Sequence, residues 1–360
     1  MKKEIKLFHP SFGKEEKKKI IETLESGFWA SGSGQGQVKE FENRFQKFVK
    51  AKECVAVNSG TAALHLALSL YDIKDKEVIV PSLSFVSTAH AVVYNGGKPV
   101  FVDVDPETLC IDPKKVQEAV TKNTKGIIPV HFGGMPVKLD QISKIAKKYS
   151  LFIVDDAAHA VGTTFKNKHI GQFDHPTCFS FHPVKNLAMP TGGAITLDSK
   201  NKKFANELKS KRWCGISNRI GMSYDVDKLG WNFYMNEFSA AIGLVQLSKL
   251  DKLNKKRKKI AKRYSNEIKV ENKMPYYEDC SYHLYWIRVK NRNQFIKKMK
   301  ENGIETGIHY KPIHKMSMYI QKKELSITEQ IAKEIISIPI YPDLTENEIT
   351  KIIKTTNKLI

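Results

Sequence analysis

Lys185 lies near the end of the stretch Ser-Phe-His-Pro-Val-Lys-Asn (180–186), which begins inside a short apolar run that reads as a strand, 177–181, and is followed by another, 194–197. A Pro-Thr-Gly-Gly turn (190–193) separates the lysine from the second run. An ammonium group set between buried strands is costly unless it is neutral or covalently engaged. Upstream, the apolar run 151–154 leads into Asp155 and Asp156, with His159 three residues beyond. A lysine that can form a Schiff base and an aspartate that keeps a pyridinium nitrogen protonated are what pyridoxal phosphate chemistry needs. Lys185 is therefore the candidate carrier of that cofactor.

Other elements must bring an anion site and a stacking surface to the same place. The apolar run 54–57 passes directly into Asn-Ser-Gly-Thr-Ala-Ala-Leu-His-Leu-Ala-Leu (58–68). Strand, small-residue turn and Ala/Leu helix form the layout of a phosphate site at a helix N-terminus, with Ser59, Gly60, Thr61 and Ala62 at its rim. A second strand, 78–81, runs into 82–90, where Phe85 could stack on a cofactor ring or serve as an ordinary core residue. Further strands are expected at 99–103, 126–131, 151–156, 177–181 and 194–197, with helical patterns at 113–120 and 139–149 between them. That alternation predicts an α/β fold with a mainly parallel sheet covered on both faces, and functional groups at the strand exits.

Helices are also expected at 15–24 and at 38–49, where Phe41, Phe45 and Phe48 share one face. The glycines of 27–36 do not follow a strand and do not have dinucleotide-binding spacing, so this segment reads as a loop. After a polar stretch (217–228), a long helix at about 236–268 joins a large unit (1–250) to a smaller C-terminal α+β unit (251–360). Thr345 and Glu348 have the spacing of a capping box before the last helix.

The bulk properties narrow the function classes. The chain has 360 residues, 41% of them hydrophobic, enough for a large core. It has no apolar run near the roughly 18 residues of a membrane span and no signal-like start. Its five cysteines are scattered, as reduced cytosolic thiols would be. The formal charge of +21 comes mostly from dispersed lysines. The densest cluster, 255–259, falls on the polar face of the long helix, so nucleic acid is not the expected partner, although an anionic substrate would be attracted. His309 and His314 lack a neighbouring carboxylate or cysteine, and no metal site is assigned.

Taken in order, these motifs resemble the DegT/StrS group of pyridoxal phosphate sugar aminotransferases, on the aspartate aminotransferase fold (fold type I, three layers). The landmarks are Ser-Gly-Thr-Ala-Ala-Leu-His-Leu-Ala-Leu (59–68), Pro-Ser-Leu-Ser-Phe (81–85), Val-Asp-Asp-Ala-Ala-His-Ala (154–160), Ser-Phe-His-Pro-Val-Lys-Asn (180–186), Leu-Gly-Trp-Asn (229–232) and Gly-Ile-His-Tyr (307–310). The resemblance implies that Lys185 forms the Schiff base and moves the proton, while Asp156 pairs with the pyridinium nitrogen. It also implies that His159 touches the phenolic oxygen and that Phe85 stacks on the ring. Ser59, Gly60, Thr61, Ala62 and Ser180 then hold the phosphate, and Asn232 reaches the phosphate of a second subunit in a homodimer. Trp29, His182, His309 and Tyr310 border the substrate. Two positions depart from the family pattern near the substrate: Thr191 stands where a carboxylate is usual and Tyr234 where an arginine is usual.

The implied reaction is amino transfer, with cycling through pyridoxamine phosphate, from L-glutamate to a keto sugar nucleotide. The wording around Lys185 leans towards C4 of a 4-keto-6-deoxy sugar, for surface-glycan synthesis in the cytoplasm. The alternatives are a keto cyclitol acceptor or a sugar dehydratase, the latter opposed by lysine at position 185, where dehydratases carry histidine.

Overall fold

A computed structural model describes residues 4–197, 202–320 and 324–360. Eight short strands carry the sheet: β1 (Glu53–Val57), β2 (Glu77–Pro81), β3 (Lys98–Val102), β4 (Thr124–Ile127), β5 (Phe152–Ile153), β6 (Asp155–Asp156), β7 (Thr177–Ser180) and β8 (Gly193–Leu197). They form two four-stranded pieces, ordered β3-β2-β4-β5 and β1-β8-β7-β6. The pieces meet along residues 152–156. Val154 donates to the Ile127 carbonyl, and Asp156 donates to that of Pro129. All pairings are parallel except those of β8, which runs antiparallel to both β1 and β7.

Period-two alternation divides the sheet residues between two cores. Ala56, Ile79, Val102, Ile153 and Phe179 join the core on one face. Val55, Val57, Val78, Val80, Phe101, Val154 and Cys178 join the core on the other. The sheet is therefore buried on both sides, as a mainly parallel sheet must be, and a slip of one residue would exchange the two cores.

The helices also follow the expected pattern. In α1 (Lys14–Glu25) and α2 (Gly36–Phe48) one stripe is buried. From α2, Phe45 meets Phe179 and Phe181 edge-on, with centroids 5.1 Å apart in both cases. This contact braces the strand that precedes Lys185. On the opposite face lie α3 (Gly60–Leu68) and α4 (Ser87–Tyr94). The long helix α5 (Glu237–Glu267) leads to an antiparallel pair, Tyr285–Arg288 with Ile335–Ile338, flanked by helices that include Glu346–Leu359. Thr345 and Glu348 form the anticipated capping box. Among the described residues, no helix is long and apolar enough to cross a membrane.

One segment differs from its reading. The polar stretch 217–228 lies largely within a β-hairpin, Ile216–Ile220 with Ser223–Val226. Ile220 and Met222 near its turn are 82% and 88% exposed. Alternation was hidden there because neither face is buried.

Candidate active site

The strand exits of the sheet converge on one spot. Where β6 ends, the Asp156 carboxylate accepts from the Thr88 hydroxyl (2.8 Å) and the Ala158 amide (3.1 Å). Burial raises this carboxyl above the ordinary aspartate value, only partly opposed by those two donors and by Lys185. Asp155 points the other way. Its Oδ2 accepts from His131 Nε2 at 2.9 Å, and His175 Nε2 stands 3.6 Å from the same oxygen. Burial by itself pushes Asp155 up, but the two imidazoles more than reverse this and hold it at about 2.

Lys185 follows β7 in a turn closed by its own amide, which donates to the His182 carbonyl at 2.8 Å. Burial lowers its ammonium to about 7, against a raising influence from Asp156. The amine is therefore substantially neutral at neutral pH while standing within electrostatic reach of a carboxylate. Its side-chain partner is His283, with Nε2 3.4 Å from Nζ.

A cluster of rings closes the site above these groups. His159 Nδ1 accepts from the Gly133 amide (3.2 Å), which places its proton on Nε2, 3.2 Å from the Tyr310 hydroxyl. Burial, reinforced by Lys185 and His309, lowers His159 well below the ordinary histidine range, so the ring is a neutral donor. His309 bonds Ser337 (2.8 Å) and is held at about 4 by burial and by Lys185. Phe85 is 57% exposed, with its ring centroid 6.0 Å from that of Tyr310.

The turn after β1 has the features of a phosphate cradle. Ser59 caps α3 by accepting from the Ala62 amide at 3.1 Å. The first amides of a helix have no intrahelical acceptor and point outward. Gly60 packs so closely on Ser180 that an added Cβ would lie 2.7 Å from the serine Cβ, which excludes any larger residue. Thr61 shares a 2.7 Å bond with Ser87. These residues fit pyridoxal phosphate: a helix N-terminus with hydroxyls for the phosphate, an exposed aromatic face, a buried carboxylate and a depressed lysine in one place.

The candidates Lys185, Asp156, His159, His309 and Tyr310 are thus brought together, with Ser59, Gly60, Thr61, Ala62 and Ser180 grouped at the adjoining turn. Three candidates lie outside this ring of contacts. Trp29 packs on Phe238 and donates its indole N–H to the Leu24 carbonyl. The Asn232 side chain is exposed, while its carbonyl accepts from Asn58 at 3.3 Å. His182 is exposed beside the Lys185 turn. Sequence reasoning missed His283, Thr88 and the His131–Asp155 pair. His283 and Lys185 are 98 positions apart, and no local pattern announces a contact at that range. His314, left without a role above, is buried between Ser82 (2.5 Å) and Glu329 (3.1 Å).

Comparison with known proteins gives a consistent result. A profile of the DegT/DnrJ/EryC1/StrS aminotransferase family matches residues 10–357. The spore coat polysaccharide biosynthesis protein SpsC of Bacillus subtilis is 37% identical, over 98% of this chain and 96% of its own. The structure of Helicobacter pylori PseC, an aminotransferase involved in pseudoaminic acid biosynthesis, superposes with a TM-score of 0.93 at 28% identity, covering 99% of each chain. Spr1654 of Streptococcus pneumoniae, at TM-score 0.92 and 26% identity over 99% of this chain and 98% of its own, is known in PLP form, and a PMP form has also been solved. The chain belongs to the DegT/DnrJ/EryC1/StrS aminotransferase family, with the fold type I architecture, and is a pyridoxal-phosphate-dependent aminotransferase of the sugar-modifying kind.

Proposed function

We propose that this family member transfers an amino group from L-glutamate to a keto sugar carried on a nucleotide, with C4 of a 4-keto-6-deoxy sugar the favoured position, in the synthesis of a surface polysaccharide. The reading rests chiefly on one observation: the strand exits gather a lysine, an imidazole pair and a buried carboxylate, with Lys185 Nζ 3.4 Å from His283, whose ring centroid lies 4.4 Å from that of His159, and with Asp156 held by Thr88. Bound pyridoxal phosphate supplies an electrophilic carbonyl carbon and, when its ring nitrogen is protonated, an electron sink.

The protein's own residues would do the rest. The Lys185 amine would hold the cofactor and would take up the proton lost from the amino donor's Cα. Asp156 holds a proton on the pyridinium nitrogen, helped by the Thr88 hydroxyl that orients its carboxylate. His159, fixed as a neutral Nε2–H donor, serves the phenolic oxygen. Phe85 covers a ring face, and Ser59, Gly60, Thr61, Ala62 and Ser180 bind the phosphate. Trp29, His182, His309 and Tyr310 are assigned to the substrate side.

In this reading residues 1–250 carry the cofactor, and residues 251–360 form a smaller unit that contributes the substrate wall. A homodimer completes each site through Asn232, which is exposed on its own chain. The exposed apolar residues of the nearby hairpin and its flank, Ile220, Met222, Tyr224, Val226 and Leu229, support a partner surface. Light scattering should give twice the chain mass of 41.0 kDa.

For substrate, the names of SpsC and PseC point to polysaccharide and amino-sugar synthesis, and the charge of +21 suits an anionic nucleotide. The pyridoxamine-charged enzyme, offered a panel of keto nucleotide-sugars and free keto cyclitols, should aminate the former. Exclusive use of a cyclitol would reject the nucleotide-sugar reading. Lys185→Ala should lose both the visible absorbance that borohydride reduction removes and repeated turnover. Survival of a borohydride-reducible protein link would move the carrier role to another lysine.

A further inference from the structure

We propose that His283 is a positioning residue for Lys185: Nε2 accepts a hydrogen bond from Nζ across 3.4 Å and fixes where the amine stands. This rests on the reading of Lys185 as the cofactor carrier. His283 lies just before the strand Tyr285–Arg288, on a segment bound to the lysine turn at two points. Besides the Lys185 contact, the Asn186 side chain donates to the Ser281 carbonyl at 2.8 Å and to Asn254 at 2.8 Å. The segment also leans on the Gly133–Gly134 turn, where the His283 amide donates to the Gly133 carbonyl at 2.9 Å. At Gly134, with φ of +94°, an added Cβ would lie 2.8 Å from the Ser281 hydroxyl, so the close approach depends on glycine.

The imidazole is held in one orientation. Phe8 stacks on it with an interplanar angle of 9°, and the His159 ring centroid lies 4.4 Å away. Its Nδ1 is buried without a hydrogen-bond partner among the described residues. A ring kept for packing alone would be better as phenylalanine, because the imidazole leaves one buried nitrogen unsatisfied. The nitrogen that does find a partner finds Lys185.

His283 must be neutral to accept. Burial lowers it well below the ordinary histidine range, reinforced by the charged or polar groups that face it: Lys185, His159, Arg257 and His309. Around Lys185 itself the other titratable groups are Asp156, which favours the ammonium, and His182, His159 and His309. A neutral acceptor bonds an ammonium more strongly than it bonds a neutral amine. His283 therefore favours the charged form of Lys185, and losing it should lower the lysine further.

The test reads Lys185 directly in the full-length chain stripped of cofactor. Reductive methylation with formaldehyde and cyanoborohydride across a pH series, followed by mass spectrometry of the peptide containing Lys185, gives the midpoint at which the amine becomes reactive. His283→Phe keeps the stack on Phe8 and removes the acceptor, so the midpoint should fall by about one unit, a tenfold change. His283→Gln restores an acceptor near the Nε2 position and should return it close to the native value. An unchanged midpoint in His283→Phe overturns the proposal, as does an equal shift in both variants. Failure of the carrier reading is seen separately, in the borohydride experiment with Lys185→Ala, and leaves the methylation midpoints standing.

Discussion

Asp155 and Asp156 are neighbours in sequence and both buried, yet the sheet sorts them into opposite chemistry. Alternation turns Asp155 towards His131 and His175, where imidazole donors hold its charge in place. Asp156 turns towards α4 and receives one hydroxyl and one amide, which leave its carboxyl above the ordinary value. The first carboxylate takes its partner from the protein itself, through Oδ2 and His131. The second has only Lys185, itself lowered to about 7, as a neighbouring cation, and a protonated pyridinium would suit it as a partner. A buried carboxylate without its counter-charge is a cost that folding bears for a ligand.

Exchanging the two residues one at a time breaks the comparison if it is wrong. Asp156→Asn should lower turnover most, by roughly two to three orders of magnitude, as loss of a focused electrostatic partner does. The cofactor-free protein should unfold no earlier in urea than the native chain. Asp155→Asn should do the reverse. It leaves His131 facing an uncharged partner in a sealed site and should cost about 3 kcal/mol by urea titration, with turnover of the folded fraction nearly intact. A reversed ranking in steady-state assays would mean that Asp155 is the residue at the ring.

The smallest effect sharpens the same contrast through pH. The folded-state value of Asp155, about 2, lies below the ordinary 3.8. Its contribution to stability is therefore fully present above about pH 4 and is lost as pH falls towards 2. The stability gap between the native chain and Asp155→Asn should narrow over that window. Asp156, raised instead, has the opposite sign: ionising it opposes folding, so cofactor-free Asp156→Asn should gain on the native chain as pH rises past the ordinary carboxylate range. Parallel curves for either variant would contradict the assigned direction.

Much of this was legible in the sequence. The strands around Lys185 and Asp156 were readable because both faces of the sheet are buried and strand residues alternate between two cores. The turn at Ser59–Thr61 was readable because small residues at a strand–helix junction are a local signal. His283, Thr88 and His131 were not, since each acquires its partner through tertiary packing: Lys185, Asp156 and Asp155 lie far from them along the chain. The hairpin at 216–226 was hidden for another reason. Neither of its faces is buried within the chain, so alternation had nothing to record.

The antiparallel strand β8 also sets the order in which the enzyme can come into being. Val57 at the end of β1 pairs with Gly193, and a Cβ on Gly193 would lie 2.5 Å from the Ser59 carbonyl. The turn that begins the phosphate cradle therefore leans on backbone that the ribosome adds far later. The roof comes later still, with His283 and Tyr310. A growing chain exposes Lys185 before it has anything to cover it. Pairings of this range are slow to close, and the cradle cannot take its final form until residues 193–197 stand beside β1.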